Sequence, residues 1–323
     1  MKFVAGMISG IAMAALGATL ALGQAYPSKP IRIVVPFAPG GSTDILTRTI
    51  AQRLGESWGQ QVIADNRAGA NGIIGADLIA KSAPDGYNLV MGSIGTHATN
   101  ASLYAKMPYD TLNDFSPITL AALVELVLVV HPSVAANSVK ELIALAKAKP
   151  GAMNYASGGQ GASQHLAAEL FKYMTGVKME HLAYKGSGAA LPDLLSGQVP
   201  IMFADMPLVT QHIQGGKLRA LAVAGKQRNR ALPGVPTVAE AGVPGYYALA
   251  WYGLFAPAGT PNEIITKLNG EVVRILHVPG VQERLRGIGA DPVGNSPREF
   301  SEFQRAEMER WAKVIRAANI HVD

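Results

Sequence analysis

The feature that most limits what this chain can fold into is a unit that recurs along it: a short apolar strand, a glycine- and serine-rich loop, then a helix. Ile31-Arg32-Ile33-Val34-Val35 is a β-branched run that meets the loop 36–41. Beyond it Ile45, Leu46, Ile50 and Leu54 recur at helical spacing, and Ser42, Thr43 and Asp44 supply the residues that start such a helix. Residues 86–91 read as a second strand, opened by the turn Pro84-Asp85-Gly86, and 126–130 as a third. Ser138 caps a helix through Leu142, Leu145 and Ala146. Residues 153–156 lead through Gly158-Gly159 into a helix carrying His165, Leu166 and Leu170, and 182–184 lead through Gly186-Ser187-Gly188 to Leu191, Leu194 and Leu195. Strands at 199–203 and 218–223 complete the middle of the chain. Strands alternating with helices predict an α/β fold with largely parallel pairing.

Two stretches break this rhythm. Residues 115–130 form one long extended segment, and 224–236 form a connection rich in Gly, Pro and Arg. They bracket a compact αβ block with more β and helix on both sides. The expectation is two α/β domains with mixed sheets: residues 26–125 plus 232–323, and residues 126–231, joined by two hinge crossings with a cleft between them. Such a double hinge suits closure around a ligand. Glu125, inside an apolar run, reads as a solvent-facing hinge residue. A length of 323 fits two domains of about 100–200 residues each, and 49% hydrophobic against 16% charged residues supplies their cores.

Residues 1–25 read as a targeting segment. Lys2 gives a positive start, residues 3–22 are apolar, and Gly23-Gln24-Ala25 places small residues where a signal peptidase reads them. An uncleaved membrane anchor is the rival, since about 20 apolar residues can span a bilayer. No basic cluster follows Leu22, so cleavage after Ala25 and export of a soluble mature protein is the expectation.

Much chemistry is excluded at once. The chain has no cysteine, hence no disulfide, zinc–thiolate site, iron–sulfur cluster or thiol nucleophile. The formal charge of +5 is a small excess, and the densest basic stretch, Lys226, Arg228 and Arg230, has no aromatic interleaving, which argues against nucleic acid as a partner. Gly92-Ser93-Ile94-Gly95 lacks the first glycine of a hydrolase elbow. Gly216-Lys217 is followed by Leu218 rather than Ser or Thr, and position 164 is Gln where a dinucleotide loop needs Gly. The seven histidines include no pair at metal-ligand helical spacing, so neither metal nor cofactor is expected. His165 reads as a packed or capping residue, His97 as structural, and Trp251 and Tyr252 as core.

Four loops remain, at 38–44, 92–97, 157–163 and 185–189, each between a strand end and a helix start. At that edge of an α/β sheet, free N–H groups and helix dipoles point outward, glycine permits close approach, and serine or threonine adds a hydroxyl. Divided between two lobes, they point to an anion cleft. Several such donors, worth about 1.5–3 kcal/mol each when charge-assisted, reach the roughly 8 kcal/mol of micromolar affinity without an arginine clamp. Asp44 serves either the helix dipole or a ligand amine, Asp205 is a cap or a cleft residue, and Lys185 is a carboxylate partner or a solvated lysine. The alternative class is an exported α/β hydrolase using Ser42, Ser93 or Ser157. It would need a His–carboxylate pair beside one of them.

At this point the residues resemble a family. Pro36-Phe37-Ala38-Pro39-Gly40-Gly41-Ser42-Thr43-Asp44 is similar to the first ligand loop of the tripartite tricarboxylate transporter substrate-binding proteins, the Bug receptors. Further blocks follow in order: Asp65-Asn66-Arg67, Pro84-Asp85-Gly86-Tyr87, Tyr155-Ala156-Ser157-Gly158, His165-Leu166-Ala167, Tyr184-Lys185-Gly186-Ser187, Ala258-Gly259-Thr260-Pro261 and Arg310-Trp311. The resemblance implies a type II-like periplasmic binding fold and a monomeric receptor without catalysis, metal or cofactor. Such a receptor passes a small carboxylate to integral-membrane permease subunits. It implies a ligand set of Gly40, Gly41, Ser42, Thr43 and Asp44 from the first domain and Ser157, Gly158, Gly159, Gln160 and Gly161 from the second. Tyr184, Lys185, Gly186, Ser187 and Asp205 flank the far side, with Ser93 and Thr96 added. The chain departs from the usual pattern at Ala162, Pro200 and Ala204, which bears on the distal, specificity-setting contacts.

Overall fold

The structure is a computed structural model that describes residues 26–320, so the leader and its cleavage after Ala25 lie outside the described residues. The elements run β1 (Ile31–Val35), α1 (Ser42–Trp58), β2 (Val62–Asn66), α2 (Ile73–Ala80), β3 (Asn88–Ser93), α3 (Asn100–Leu103) and β4 (Phe115–Val130). Then come α4 (Val139–Ala148), β5 (Asn154–Ser157), α5 (Ser163–Thr175), β6 (Glu180–Ala183), α6 (Ser187–Ser196), β7 (Ile201–Asp205), α7 (Met206–Gln214) and β8 (Arg219–Val223). The chain closes with β9 (Leu249–Pro257), α8 (Asn262–Leu276), α9 (Pro279–Gly287), β10 (Ala290–Pro292) and α10 (Pro297–Ala317). The expected strand–loop–helix units are all present.

The pairing is more mixed than the sequence rhythm suggests. Neighbours follow the order β2-β1-β3-β9-β4-β7-β5-β6, with β8 and β10 also on β4. Pairing is parallel at both ends, where helical crossovers return the chain, and antiparallel through β3, β9, β4 and β7. The centre is antiparallel because β9 returns from beyond the middle block to insert between β3 and β4.

β4 is the beam of the sheet. Up to Glu125 it pairs with β9, and its residues 122–124 also pair with β10; from Leu126 it pairs with β7 instead. Its apolar run is buried on both faces, which is why it reads as unbroken Val and Leu rather than alternating. Glu125 sits at the change of partners. It is half-buried rather than solvent-facing, and accepts hydrogen bonds from Asn229 Nδ2 and the Gly225 N–H, so it ties this crossing to the 224–236 connection. Burial pushes its carboxyl up, against the pull of those bonds.

The C-terminal helix closes one flank. Ser296 and Glu299 form a reciprocal capping box around Pro297, and the apolar face of α10 (Phe300, Trp311, Ile315) is buried with Trp251 and Phe255. Each such side chain contributes about 1.5–3 kcal/mol of burial. Gly253 is required beneath Phe300, because a Cβ there would stand 2.0 Å from Phe300 Cζ.

Candidate ligand-binding cleft

Three helices point their N-termini at one place, and none of them is capped by a side chain. Gly41 precedes α1, Ala162 precedes α5 and Gly186 precedes α6. Each leaves first-turn N–H groups without an intrahelical partner and a partial positive charge at its end. All four glycine-rich loops reach the cavity between them: Gly41 and Thr43, Ser93 and Ile94, Gly158 and Ala162, and Ser187 all line it, together with Gln164 and Tyr252.

The cavity measures about 20 Å³, room for roughly one water. It is small because the two sides touch. The Ala38 N–H donates to the Lys185 carbonyl at 2.9 Å, and Thr99 Oγ1 donates to the Gly161 carbonyl at 2.8 Å. A Cβ on Gly188 would lie 2.4 Å from the Pro39 carbonyl oxygen. A larger cavity, about 560 Å³, opens around Glu125, Arg230 and Tyr247 at the crossings. Arg228 and Arg286 in its wall are already paired with Glu240 and Asp291. The convergent N–H groups, not the volume, mark the smaller cavity as the candidate site.

Asp205 is the polar hub beneath it. The residue is fully buried and bridges four elements: Gln164 Nε2 donates to Oδ1 at 2.8 Å, while Tyr252 Oη and Ser187 Oγ stand 2.9 and 3.5 Å from Oδ2. Its side chain caps no helix, although the residue is the N-cap of α7. Burial pushes its carboxyl above the usual range, against those hydrogen bonds. Ser42 Oγ is buried nearby without a well-formed hydrogen bond of its own.

Other residues of the expected set shape the loops rather than face the cavity. Asp44 accepts from the Gly40 N–H (3.0 Å), Arg48 Nε (2.9 Å) and Asn66 Nδ2 (3.0 Å). Burial opposes its ionisation, but those bonds outweigh it and hold the carboxyl below the usual range. Thr96 Oγ1 is engaged by the Ser93 N–H and by His97 Nδ1, inside a π-helical turn, Gly95–Thr99. Tyr184 Oη donates to Asp193 at 2.6 Å, and Lys185 offers its carbonyl to the cleft while its side chain is exposed. Gly186 carries a φ of +124° as its backbone passes Ala38, a conformation that favours glycine. Gly40 is exposed, and Gln160 is half-exposed outside the lining.

Ser157 is completely buried, and its hydroxyl meets His181 Nε2 at 2.6 Å and both the carbonyl (3.0 Å) and N–H (3.1 Å) of Gly159. His165 is packed, as expected, and its Nδ1 accepts the Gly161 N–H at 3.0 Å, one residue ahead of the N-cap of α5. Sequence reasoning missed Gln164, His181 and the hydroxyl of Tyr252. Tyr252 is core by its ring but reaches the cleft by its oxygen, because β9 places it opposite Ser93 of β3. No local signal announces that long-range register. Among the described residues, no group of His, Cys, Asp and Glu is arranged to hold a metal ion.

Comparison with known proteins decides what this arrangement belongs to. The family model described as "Tripartite tricarboxylate transporter family receptor" matches residues 46–320. The chain belongs to this family. It is 43% identical over 292 residues to Protein BugT of Bordetella pertussis, covering 90% of each chain. The R. palustris structure "Rpa4515 with adipate" superposes with a TM-score of 0.90 at 42% identity, over 92% of this receptor and 99% of that chain. "MatC (Rpa3494)" from Rhodopseudomonas palustris, with bound malate, gives 0.86 at 32% identity over 90% and 100%. The periplasmic binding protein BugD gives 0.88 at 32% over 92% and 99%. The receptor is thus a Bug-type solute-binding protein with the α/β binding-protein fold of its neighbours. Among the described residues, no helix is long and apolar enough to cross a membrane.

Proposed function

We propose that this receptor captures a small carboxylate between two domains, residues 26–125 plus 232–323 and residues 126–231, and delivers it to integral-membrane permease subunits. It is exported, cleaved after Ala25, and works as a periplasmic monomer. The observation that carries the reading is the convergence of three uncapped helix N-termini, from both sides, on one cavity lined by hydroxyls and N–H groups. The donors suit a carboxylate, which is acceptor-only and anionic, and they come mostly from backbone; the space of about 20 Å³ between the touching sides must widen to admit it. Relatives at 42% and 32% identity hold adipate and malate, which supports a dicarboxylate. The contacts across the cleft match a closed form.

The test is a thermal-shift screen of residues 26–323 against adipate, malate, citrate, amino acids and the corresponding amides. A hundredfold excess over Kd stabilises the native state by about 2.7 kcal/mol, roughly 4 °C for a chain of this size. Acids that shift the transition while their amides do not support the reading; a panel with no shift overturns it.

One observation favours the hydrolase alternative. Ser157 and His181 make the serine–histidine contact that such an enzyme needs. Against it, no carboxylate among the described residues hydrogen-bonds His181, and burial holds its proton affinity down to about 3, a weak base at neutral pH. Turnover of an activated ester of adipate, lost in Ser157→Ala, would establish it.

A further inference from the structure

Beneath the loop of the second side lies a column of aromatic rings that the binding reading does not use. The His165 and His181 rings stack at 4.1 Å and 21°, and Tyr155 stacks on His181 at 5.0 Å and 20°. The stack follows from topology. Parallel β5 and β6 set Tyr155 beside His181, and α5 starts where β5 ends, which drops His165 onto the same column.

The ring nitrogens meet both ends of the turn 157–161. His181 Nε2 holds the Ser157 hydroxyl at one end, and His165 Nδ1 accepts the Gly161 N–H at the other. Between them Gly159 and Gly161 adopt φ of +143° and +83°, a shape that needs restraint because glycine has many alternatives. Ser157 Oγ has one proton and two lone pairs, and His181 with the two groups of Gly159 uses all three. The hydroxyl is therefore consumed inside the protein and shapes the loop rather than touching a solute.

We propose that His165 and His181 are positioning residues: two stacked, uncharged imidazoles lock the 157–161 turn in the shape that aims its N–H groups and the start of α5 at a bound anion. The proposal rests on the cleft being the solute site. Gly161 donates to Nδ1, so His165 carries its single proton on Nε2, 3.9 Å from Glu169 Oε1. Protonating Nδ1 sets N–H against N–H and releases the turn at Gly161. His181 differs, since Ser157 can donate to an unprotonated Nε2, or turn its proton to the Gly159 carbonyl and accept from a protonated one. Glu169, Lys172 and Tyr155 face the stack, with Glu180 beyond; Glu169 is held by Lys172 (2.7 Å) and Tyr155 Oη (2.5 Å). Burial and Lys172 depress the His165 proton affinity to about 4, and burial and His165 depress that of His181 to about 3, so both stay neutral in ordinary buffers.

Two measurements test this. Histidine-ring 15N NMR of the unliganded protein should show His165 uncharged, with an unprotonated, hydrogen-bonded Nδ1, down to pH 5. Ordinary titration near pH 6.5 overturns the lock whether or not any solute binds. Titration with adipate, malate and citrate then compares wild type with His165→Phe, which keeps the stack without the acceptor, and His165→Asn, which restores an acceptor near Nδ1. The expected result is about tenfold weaker binding in the first and recovery to within threefold in the second. Equal affinity of all three overturns the proposal. If wild type binds none of these acids, the carboxylate reading fails while the NMR arm still decides the lock. His181→Phe and His181→Gln repeat the comparison at the other end, and a role limited to packing would lower stability in both Phe variants without recovery of affinity.

Discussion

Gly188→Ala separates folding from closure. Gly188 is the second residue of α6 and has no positive φ, so alanine strains no backbone there and favours the helix by up to about 1 kcal/mol. Its new Cβ would nevertheless stand 2.4 Å from the Pro39 carbonyl oxygen and 2.8 Å from the Gly41 nitrogen, both backbone atoms on the opposite side of the cleft. Neither can rotate away, so the sides must part by most of an ångström where they should meet. Overpacking of this kind costs about 1–3 kcal/mol. If the cleft opens as proposed, the clash is absent from the open form, the whole cost falls on the closed one, and affinity drops by roughly 5- to 150-fold. The assay is calorimetric titration with a carboxylate found in the thermal-shift screen, alongside thermal unfolding of the unliganded variant. Expected are a weaker Kd and an unliganded transition as high as wild type or higher. Wild-type affinity would refute the closed-cleft geometry, and a collapsed unliganded transition would refute the claim that the contact belongs to closure alone.

Further perturbations follow from the same geometry. His97 is fully buried between Phe115 and Phe255, and burial lowers its proton affinity to about 3; the unfolded chain takes up that proton below about 6.5, so stability is lost as pH falls. Urea unfolding at pH 7 and pH 5 should show wild type losing about 2 kcal/mol more than His97→Phe, and equal losses would mean that the ring is not held neutral. Tyr252→Phe removes the 2.9 Å donor from Asp205 Oδ2 and should cost about 1–3 kcal/mol at pH 7. Because the variant raises the folded-state Asp205 value further, the deficit should shrink as pH falls and the carboxyl protonates; a pH-independent deficit would assign the cost to packing. Gly253→Ala drives a methyl into Phe300 and should lower the unfolding midpoint without changing the affinity of the protein that remains folded.

The parts legible in the sequence are those written locally. β1, β3 and β4 are β-branched or apolar runs, the loops are clusters of Gly and Ser, and the starts of α1, α4 and α10 carry recognisable first-turn residues. All four loops identified from spacing reach one cavity: those after β1 and β3 leave parallel strand ends, those after β5 and β6 leave ends pointing the opposite way, and β4, which pairs with one set up to Glu125 and with the other from Leu126, turns the two edges toward each other. What sequence could not supply was direction. Tyr252 reaches Asp205 through the β3–β9 register, Gln164 faces Asp205 because α5 begins one residue before it, and His181 meets Ser157 through parallel β5–β6 pairing. Asp44, Thr96 and Tyr184 lie in the right loops yet spend their polar atoms inside them. Residue type at a position says which bonds are available, and only the tertiary pairing says which partner takes them.

The insertion of β9 between β3 and β4 also sets when the molecule can exist. β3 and β4 are next to each other in sequence but have no shared edge; their joint is Leu249–Pro257. A ribosome must therefore have made 257 of the 323 residues before the antiparallel centre of the sheet can assemble, and α10, which covers Trp251, comes later still. Contacts separated by more than a hundred residues close slowly. For a chain exported as proposed here, that delay is useful: the nascent polypeptide stays threadable for most of its synthesis, and the receptor first becomes whole on the far side of the membrane.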